Sequence, residues 1–436
     1  MKPLLSWLKW FYPGMRIKRW MLLTLLGIVI VVAGLALVTN ITWGNYEQRL
    51  EDAILWMFTE TGVKINDPSI YLPIGFTTMA IGLLLIFISY FGFNQGVLAV
   101  VAPDAREDLA DRIYQRRSLA QGQRIVVLGG GTGLSTMLRG LKEYTSNIAA
   151  IVTVTDNGGS SGRLTQQMGV LPPGDLRSCL VALADAEPTL AKLFQFRFEE
   201  EHEGLGGHSF GYLFIAAMTE IYHGNYEQAI TATSKVLAIR GKVYPSTVHN
   251  VCLLAEMEDG TVVEGETQIA HHPQPIRRMY LRPENAQPLA EAIEAIKLAD
   301  AIILGPGSVY TSIVPNLLVD GIADAIDRSK AVKIYVCNVM TQPGETDGYS
   351  AADHVRVLTD HAPGKKLVQH VLVNKEPPGE DLLARYAKYG QNFVKPDVDS
   401  IRALGYTPHV ANLISHTDVV RHDSTRLAEA IFRIIL

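Results

Sequence analysis

At 436 residues the chain is long enough for one large α/β domain and an accessory part. Charged residues make up 19% of it, and the deficit is local: none occurs from Trp20 to Tyr46 and none from Pro68 to Pro103. A formal charge of −5 gives no basic surface for nucleic acid, and three scattered cysteines without a C-x-x-C pair argue against a thiolate metal site and for a reducing compartment.

The two charge-free stretches come first in the chain. A helix needs roughly 20 apolar residues to cross a bilayer, so residues 21–38 and 72–93 each qualify. Both are apolar around their whole circumference, which suits lipid better than a packed core, and the first is too long and lacks a clean cleavage pattern for a signal peptide. Arg16, Lys18 and Arg19 precede the first span; Arg106, Arg112, Arg116 and Arg117 follow the second. Glu47, Glu51, Asp52, Glu60 and Asp67 make the connecting loop acidic, while Trp20, Trp43 and Tyr71 mark the span edges. The expectation is an N-terminal segment over 1–19, a two-helix membrane hairpin over 20–103 and both ends cytoplasmic.

Residues 104–122 turn charged and helical and read as a connector, with the soluble domain over 123–436. There the pattern alternates: strand 125–128, helix 134–144, strand 149–155 and helix 188–196. Two helices, 212–222 and 226–237, form a helical insert, and residues 250–269 alternate around Asp259-Gly260 as a small β-hairpin excursion. Helix 286–298, strand 301–304, helix 309–318, strands 333–338 and 368–374, strand-like 409–414 and helix 424–435 complete the chain. Alternation of this kind implies a Rossmann-like, doubly wound, mostly parallel α/β sheet.

In such sheets ligands lie at the carboxyl ends of the strands, so the loops after successive strands should converge. The first loop carries Gly130, Gly131, Thr132 and Gly133 between an apolar strand and a helix. Without side chains its backbone can close on a phosphate held by the N–H groups of the helix start. The third glycine of the dinucleotide fingerprint is missing and no Lys-Ser/Thr pair follows, so a nucleotide or phosphosugar fits better than NAD or ATP hydrolysis. The second loop holds Asp156, Asn157, Ser160, Ser161 and Arg163. It reads as a glycine nest with hydroxyl donors and an arginine fork, Asp156 accepting from a sugar hydroxyl; a flexible solvent loop is the plainer alternative. The third presents Asp175 and Arg177 at a helix start, where a simple N-cap explains Asp175 equally well. Gly305, Gly307 and Ser308 follow a strand and open a helix, either as a second anion cradle or as an ordinary turn. His208, set among glycines ahead of a helix, is a ligand donor or a local cap. Adjacent His271 and His272 cannot share one face of a strand, and no hydrolase elbow stands out, so neither a metal site nor a catalytic residue is assigned.

With these loops in hand, and with residues 305–316 and 336–345, the chain from 123 onward resembles the gluconeogenesis factor family, bacterial proteins similar to 2-phospho-L-lactate transferase of deazaflavin coenzyme biosynthesis. The resemblance implies a UDP-sugar site, with UDP-N-acetylglucosamine the characteristic ligand, and a role in carbon metabolism, cell shape and envelope synthesis. It also implies a homo-oligomer and partners in envelope synthesis. Tyr386 and Arg421 match family residues linked to the ligand, the ring to stack on uracil and the guanidinium to hold the diphosphate. The chain departs from the pattern in its membrane hairpin, in Asn157 where many relatives carry a second acid, and in Tyr212 where Asn is usual. Two functions follow: a regulatory UDP-sugar-binding protein of the inner membrane that requires no cofactor, and a transferase in which Asp156 and Asp175 assist Mg2+.

Overall fold

The computed structural model describes residues 18–39, 68–101, 117–185, 188–202, 204–415 and 419–436. The N-terminal segment through residue 17, Trp43, the acidic loop with Glu47, Glu51, Asp52, Glu60 and Asp67, the ring of Tyr71, and the connector through Arg106, Arg112 and Arg116 lie outside what is described. The chain divides into two units, Met1–Ile113 and Tyr114–Leu436.

The first unit contains helices Lys18–Thr39 and Pro68–Val101, of which Lys18–Thr39 and Leu72–Gly96 are long and apolar enough to cross a membrane. Glycines set how they pack. A methyl group on Gly27 would come 2.9 Å from the carbonyl oxygen of Gly82, and one on Gly82 would come 2.8 Å from that of Gly27. Gly34 and Gly75 oppose each other in the same way, so the backbones touch at two levels one helix-face repeat apart. Thr24 Oγ1 and Ser89 Oγ share a hydrogen bond of 2.7 Å, and Ser89 also donates to the carbonyl of Trp20, which satisfies both hydroxyls within the pair.

The second unit is built on a seven-stranded parallel sheet. Its strands are β1 (Ile125–Gly129), β2 (Ile148–Val152), β3 (Lys242–Pro245), β7 (Ala301–Leu304), β8 (Val332–Val336), β9 (His370–Asn374) and β10 (Thr407–Ala411), in the order β10-β9-β8-β7-β1-β2-β3. β4 (Cys252–Met257), β5 (Val262–Glu264) and β6 (Ile276–Arg282) make a separate antiparallel sheet ordered β5-β4-β6. Every residue of β1 and β7 is buried, as the unbroken apolar runs require when helices cover both faces. The Rossmann-like doubly wound expectation holds, and the hairpin excursion gains a third strand.

Three differences from the sequence pattern bear on the site. Residues 156–163 are no free loop: helix Gly159–Met168 begins inside them. The expected helix over 309–318 opens with a π-helical turn, Val309–Ile313, before α-helix Val314–Leu318. β3 follows the helical insert as an edge strand four residues long, too short for an alternation signal to register.

Candidate functional site

Strand order decides where a ligand can enter. From β1 the chain moves outward through β2 to β3, then returns to the other side of β1 with β7 and continues through β8 and β9 to β10. The order therefore reverses between β1 and β7, and the loops leaving these neighbours diverge to opposite faces and open a crevice. Both loops are glycine-rich. Gly129 and Gly305 sit side by side, and a methyl on Gly129 would lie 3.8 Å from the Cα of Gly305.

Helix Gly131–Leu141 starts directly in this crevice, with Gly130 in extended conformation as its cap and no side-chain bond from that cap residue; the N–H of Gly131 is taken by Asp175. Gly131 takes φ of +67°, a conformation that a Cβ would strain, and the space beside it is open. Gly133 faces the second loop so closely that a methyl would lie 2.6 Å from the carbonyl oxygen of Pro306. Two asparagines fix the pair of loops: Asn338 Oδ1 accepts from Gly307 N at 3.0 Å, and fully buried Asn316 donates to Gly129 O at 3.3 Å and Ser312 O at 2.7 Å. Gly130, Gly131, Thr132 and Gly133 are thus brought together with Gly305, Gly307 and Ser308 as one cradle lined by backbone.

Carboxylates surround the cradle. Asp175, in the first turn of helix Pro173–Leu183, closes over Gly130 and accepts a backbone hydrogen bond from Gly131. Burial foremost, and then the neighbouring charge of Asp156, push its pKa up to about 6. Asp156 accepts from Gly158 N at 2.9 Å and stands over Gly174. Two acids that the sequence reading did not single out complete the group. Glu345 is buried and accepts from Ser308 Oγ, from Thr311 Oγ1 at 3.2 Å and from Gln342 Nε2 at 2.6 Å. Glu266, at the start of the short helix after β5, is hydrogen-bonded to Thr311. Burial raises Glu345 to about 7. Burial, reinforced by Asp156, Asp175 and Glu345, raises Glu266 to about 8. Near neutral pH Asp175, Glu345 and Glu266 can therefore hold or release a proton, so they can donate to a ligand as well as accept from it. Among the described residues no three His, Cys, Asp or Glu side chains are placed to hold a metal ion.

The other anticipated residues fall into two further groups. Ser160 Oγ bonds His208 Nδ1 at 2.9 Å, Arg163 donates to Gly206 O at 2.8 Å, and Arg177 donates to Phe194 O at 3.4 Å. Ser161 lies with them at the start of helix Gly159–Met168. Asn157 turns to the small sheet instead, bonding Thr267 and Gln268 of the helix that carries Glu266, so it anchors that helix. Tyr386 and Arg421 form the third group: the Tyr386 hydroxyl accepts from Val420 N at 3.0 Å, one residue before Arg421. That segment lies over the carboxyl ends of β8 and β9, since His422 is hydrogen-bonded to the backbone of Cys337 and Leu413 N donates to Asn374 Oδ1 at 2.9 Å. Arg421 also lowers the pKa of Arg139, whose burial is the larger cause. Two concavities of about 480 and 400 Å3 lie elsewhere, beside β3 and between helices Ala290–Leu298 and Ile322–Arg328, and none of the residues anticipated for the ligand lines either.

Comparison with known proteins settles the lineage. Residues 125–414 match the family model of 2-phospho-L-lactate transferase CofD. A homologue in Nostoc sp. is 45% identical over 433 residues, 98% of this chain and 92% of its own length. The gluconeogenesis factor of Halalkalibacterium halodurans is 49% identical over 310 residues, 71% of this chain and 95% of its own. The chain belongs to the gluconeogenesis factor family. A crystal structure of a UPF0052 family member from Bacillus halodurans, 48% identical, superposes with a TM-score of 0.69 and covers 71% of this chain and 99% of that one. Gluconeogenesis factors are therefore of two lengths. The Nostoc homologue aligns through the hairpin region, whereas the Halalkalibacterium one spans about as many residues as the sheet unit.

Proposed function

We propose that this gluconeogenesis factor family member is a membrane-tethered regulatory protein whose sheet unit binds a UDP-sugar, UDP-N-acetylglucosamine in the first instance. Its hairpin holds that unit at the cytoplasmic face of the inner membrane, where the bound state reports sugar-nucleotide supply to envelope-synthesis partners. Homo-oligomer formation belongs to the same proposal.

The observation that carries the reading is the pair of opposed glycine loops at the point where strand order reverses, with the start of helix Gly131–Leu141 between them. Backbone N–H groups there are ready donors for a diphosphate, and the helix dipole favours its charge. The ring of carboxyl groups would bond sugar hydroxyls, Asp156 as an acceptor and Glu266 as a donor while it holds its proton. Tyr386 offers a flat face for uracil and Arg421 a fork for phosphate, both on the same rim.

Calorimetric titration of the full chain in detergent with UDP-N-acetylglucosamine tests this. Saturable binding, weakened in Arg421→Ala, is expected; equal heats from both proteins would remove Arg421 from the site, and no heat from either would end the proposal.

The family match supports a second reading, transfer of phospholactate to a deazaflavin acceptor. Asp156 and Asp175 fit Mg2+ by donor type, because that ion is commonly held by one or two carboxylates together with substrate phosphates. There it would neutralise phosphate charge. The chain's own groups would position the acceptor hydroxyl, with ionised Glu345 taking its proton as the new P–O bond forms and guanosine monophosphate leaves the donor. Incubation with lactyl diphosphoguanosine and a deazaflavin separates the two readings, since turnover excludes a purely binding role.

A further inference from the structure

The concavity between helices Ala290–Leu298 and Ile322–Arg328 belongs to the rim opposite the cradle. Each helix ends just before a strand, β7 and β8 respectively, so their last turns stand at the amino ends of the sheet. There Lys297, Arg328 and Lys330 line a groove of about 400 Å3, with Ile293, Ala299 and Ala325 among its other walls and no carboxylate in the lining. The three cations are exposed, as is Lys366 ahead of β9, and none of the four enters an ion pair among the described residues. The acids of this rim have other partners. Asp300 pairs with Arg124 at 2.8 Å, Asp324, which also feels Arg328, pairs with Lys365 at 3.0 Å, and Asp327 accepts from Lys366 N at 2.8 Å. A cation in the last turn complements the carbonyl end of a helix, which accounts for Lys297 and Arg328 in part; Lys330 lies beyond both helices and gains nothing from them.

Two separate features indicate what this rim meets. The groove combines cations with an apolar wall, and Leu298, beside Lys297, is 50% exposed. That pairing suits an amphiphile better than a free anion, because an anion alone would leave the apolar surface in water. The second feature is the course of the chain. β1 begins at this rim, and the residues leading into it are fixed there: Ser146 N donates to Leu119 O at 2.9 Å, and Asn147 Nδ2 donates to Ala120 O and Gly122 O at 2.9 and 2.7 Å. Residues 102–116 alone join this entry point to the apolar helix Pro68–Val101, on the order of 50 Å of chain even if fully extended.

We propose that the amino-end rim of the sheet unit is a docking surface for the anionic phospholipids of the membrane its hairpin spans. Lipid phosphates meet Lys297, Arg328 and Lys330, and the apolar wall of the groove receives the glycerol and the first methylenes. Singly each exposed cation is attracted weakly, but the potential of an anionic bilayer acts on all of them that come within a Debye length, about 8 Å at physiological salt. The cradle, at the carboxyl ends of the strands, then opens away from the bilayer, where a soluble ligand reaches it. The proposal rests on the hairpin as a membrane tether and is independent of which ligand the cradle holds.

Lysine acetylation of the full chain in nanodiscs, read by mass spectrometry, tests this. Discs of phosphatidylcholine alone are compared with discs of equal parts phosphatidylcholine and phosphatidylglycerol. Lys297, Lys330 and Lys366 should react several-fold more slowly in the anionic discs, while exposed Lys388, beyond the carboxyl end of β9, reacts equally in both. Salt at 1 M, which shortens the Debye length to about 3 Å, should remove the protection. So should the double variant Arg328→Gln, Lys330→Gln, read at Lys297. Equal reactivity of the rim lysines in both discs overturns the docking surface and leaves the tether standing, whereas a chain that does not insert into discs removes both. Equal protection by inorganic phosphate in phosphatidylcholine discs would identify a soluble anion as the occupant and also overturn the proposal, as would undiminished protection of Lys297 in the double variant.

Discussion

The hairpin and the cradle both depend on glycine, and they use it for different physical reasons. Between the two long helices Gly27, Gly34, Gly75 and Gly82 keep ordinary helical backbone and exist to let main chains touch, since a methyl on any of them would strike the facing helix. In the cradle Gly133 serves the same purpose against Pro306, but Gly131 has open space around it and is required for its backbone angle. Close approach stabilises an interface through packing, whereas the positive φ turns the chain into the helix start, where Gly131 N–H meets the Asp175 carboxyl. The comparison shows that a glycine in a motif has no meaning until its neighbours are known.

Substitutions can break that distinction. The largest effect is expected from Gly133→Val, which drives two loops apart at the backbone. It should destabilise the sheet unit by about 1–3 kcal/mol or more and abolish sugar-nucleotide heat, read by thermal melting and calorimetry. A wild-type melting curve would mean that the loops are not in contact. Gly131→Ala meets no atom and pays only for its angle, about 1–2 kcal/mol, so it should melt less early than Gly133→Val.

The hairpin can be probed with a disulfide. In a Thr24→Cys, Ser89→Cys double variant the two thiols should oxidise readily in the membrane, because the native oxygens are 2.7 Å apart. Adding Gly82→Val should cut the cross-linking yield several-fold while the sheet unit melts unchanged. Equal yield would mean that the helices do not need the glycine contact.

A further test exploits the acids of the rim, which have no counterpart in the described spans. Asp175, Glu266 and Glu345 have folded pKa values raised to about 6, 8 and 7, so the folded state binds more protons than the unfolded one. Their contribution to stability is complete below pH 4, where both states are protonated, and is lost as pH rises through 6 to 8. Melting temperature of the ligand-free protein should therefore fall across that range, and Glu266→Gln should flatten the fall; a profile of unchanged slope in the variant would remove Glu266 from the coupled group. The smallest effect belongs to Tyr386→Phe, which removes one hydrogen bond from Val420 N and should cost about 1 kcal/mol, with a modest loss of sugar-nucleotide affinity.

Much of this was legible in the chain. Apolar runs without charge gave the two long helices, and glycine clusters directly after apolar runs gave the loops at the ends of β1 and β7, because these signals are carried by contiguous residues. Glu266 and Glu345 were not legible. Each stands two residues from another acid, Glu264 or Asp347, and what distinguishes it is burial beside Thr311, a residue distant in sequence from both. Asn157 looked like a ligand residue until its side chain was found bonded to Thr267.

The sequence by itself determined composition-driven facts: that the chain contains lipid-compatible helices, that its sheet is parallel, and that certain turns had to be free of side chains. Which turns meet, and which charges face them, was decided by strand order alone. The reversal between β1 and β7 brings together loops more than 170 residues apart, and the same closure buries carboxyl groups whose protons then respond to one another. Periodicity is a property of neighbours along the chain. Electrostatic coupling depends on distance through space, and only the folded arrangement sets it.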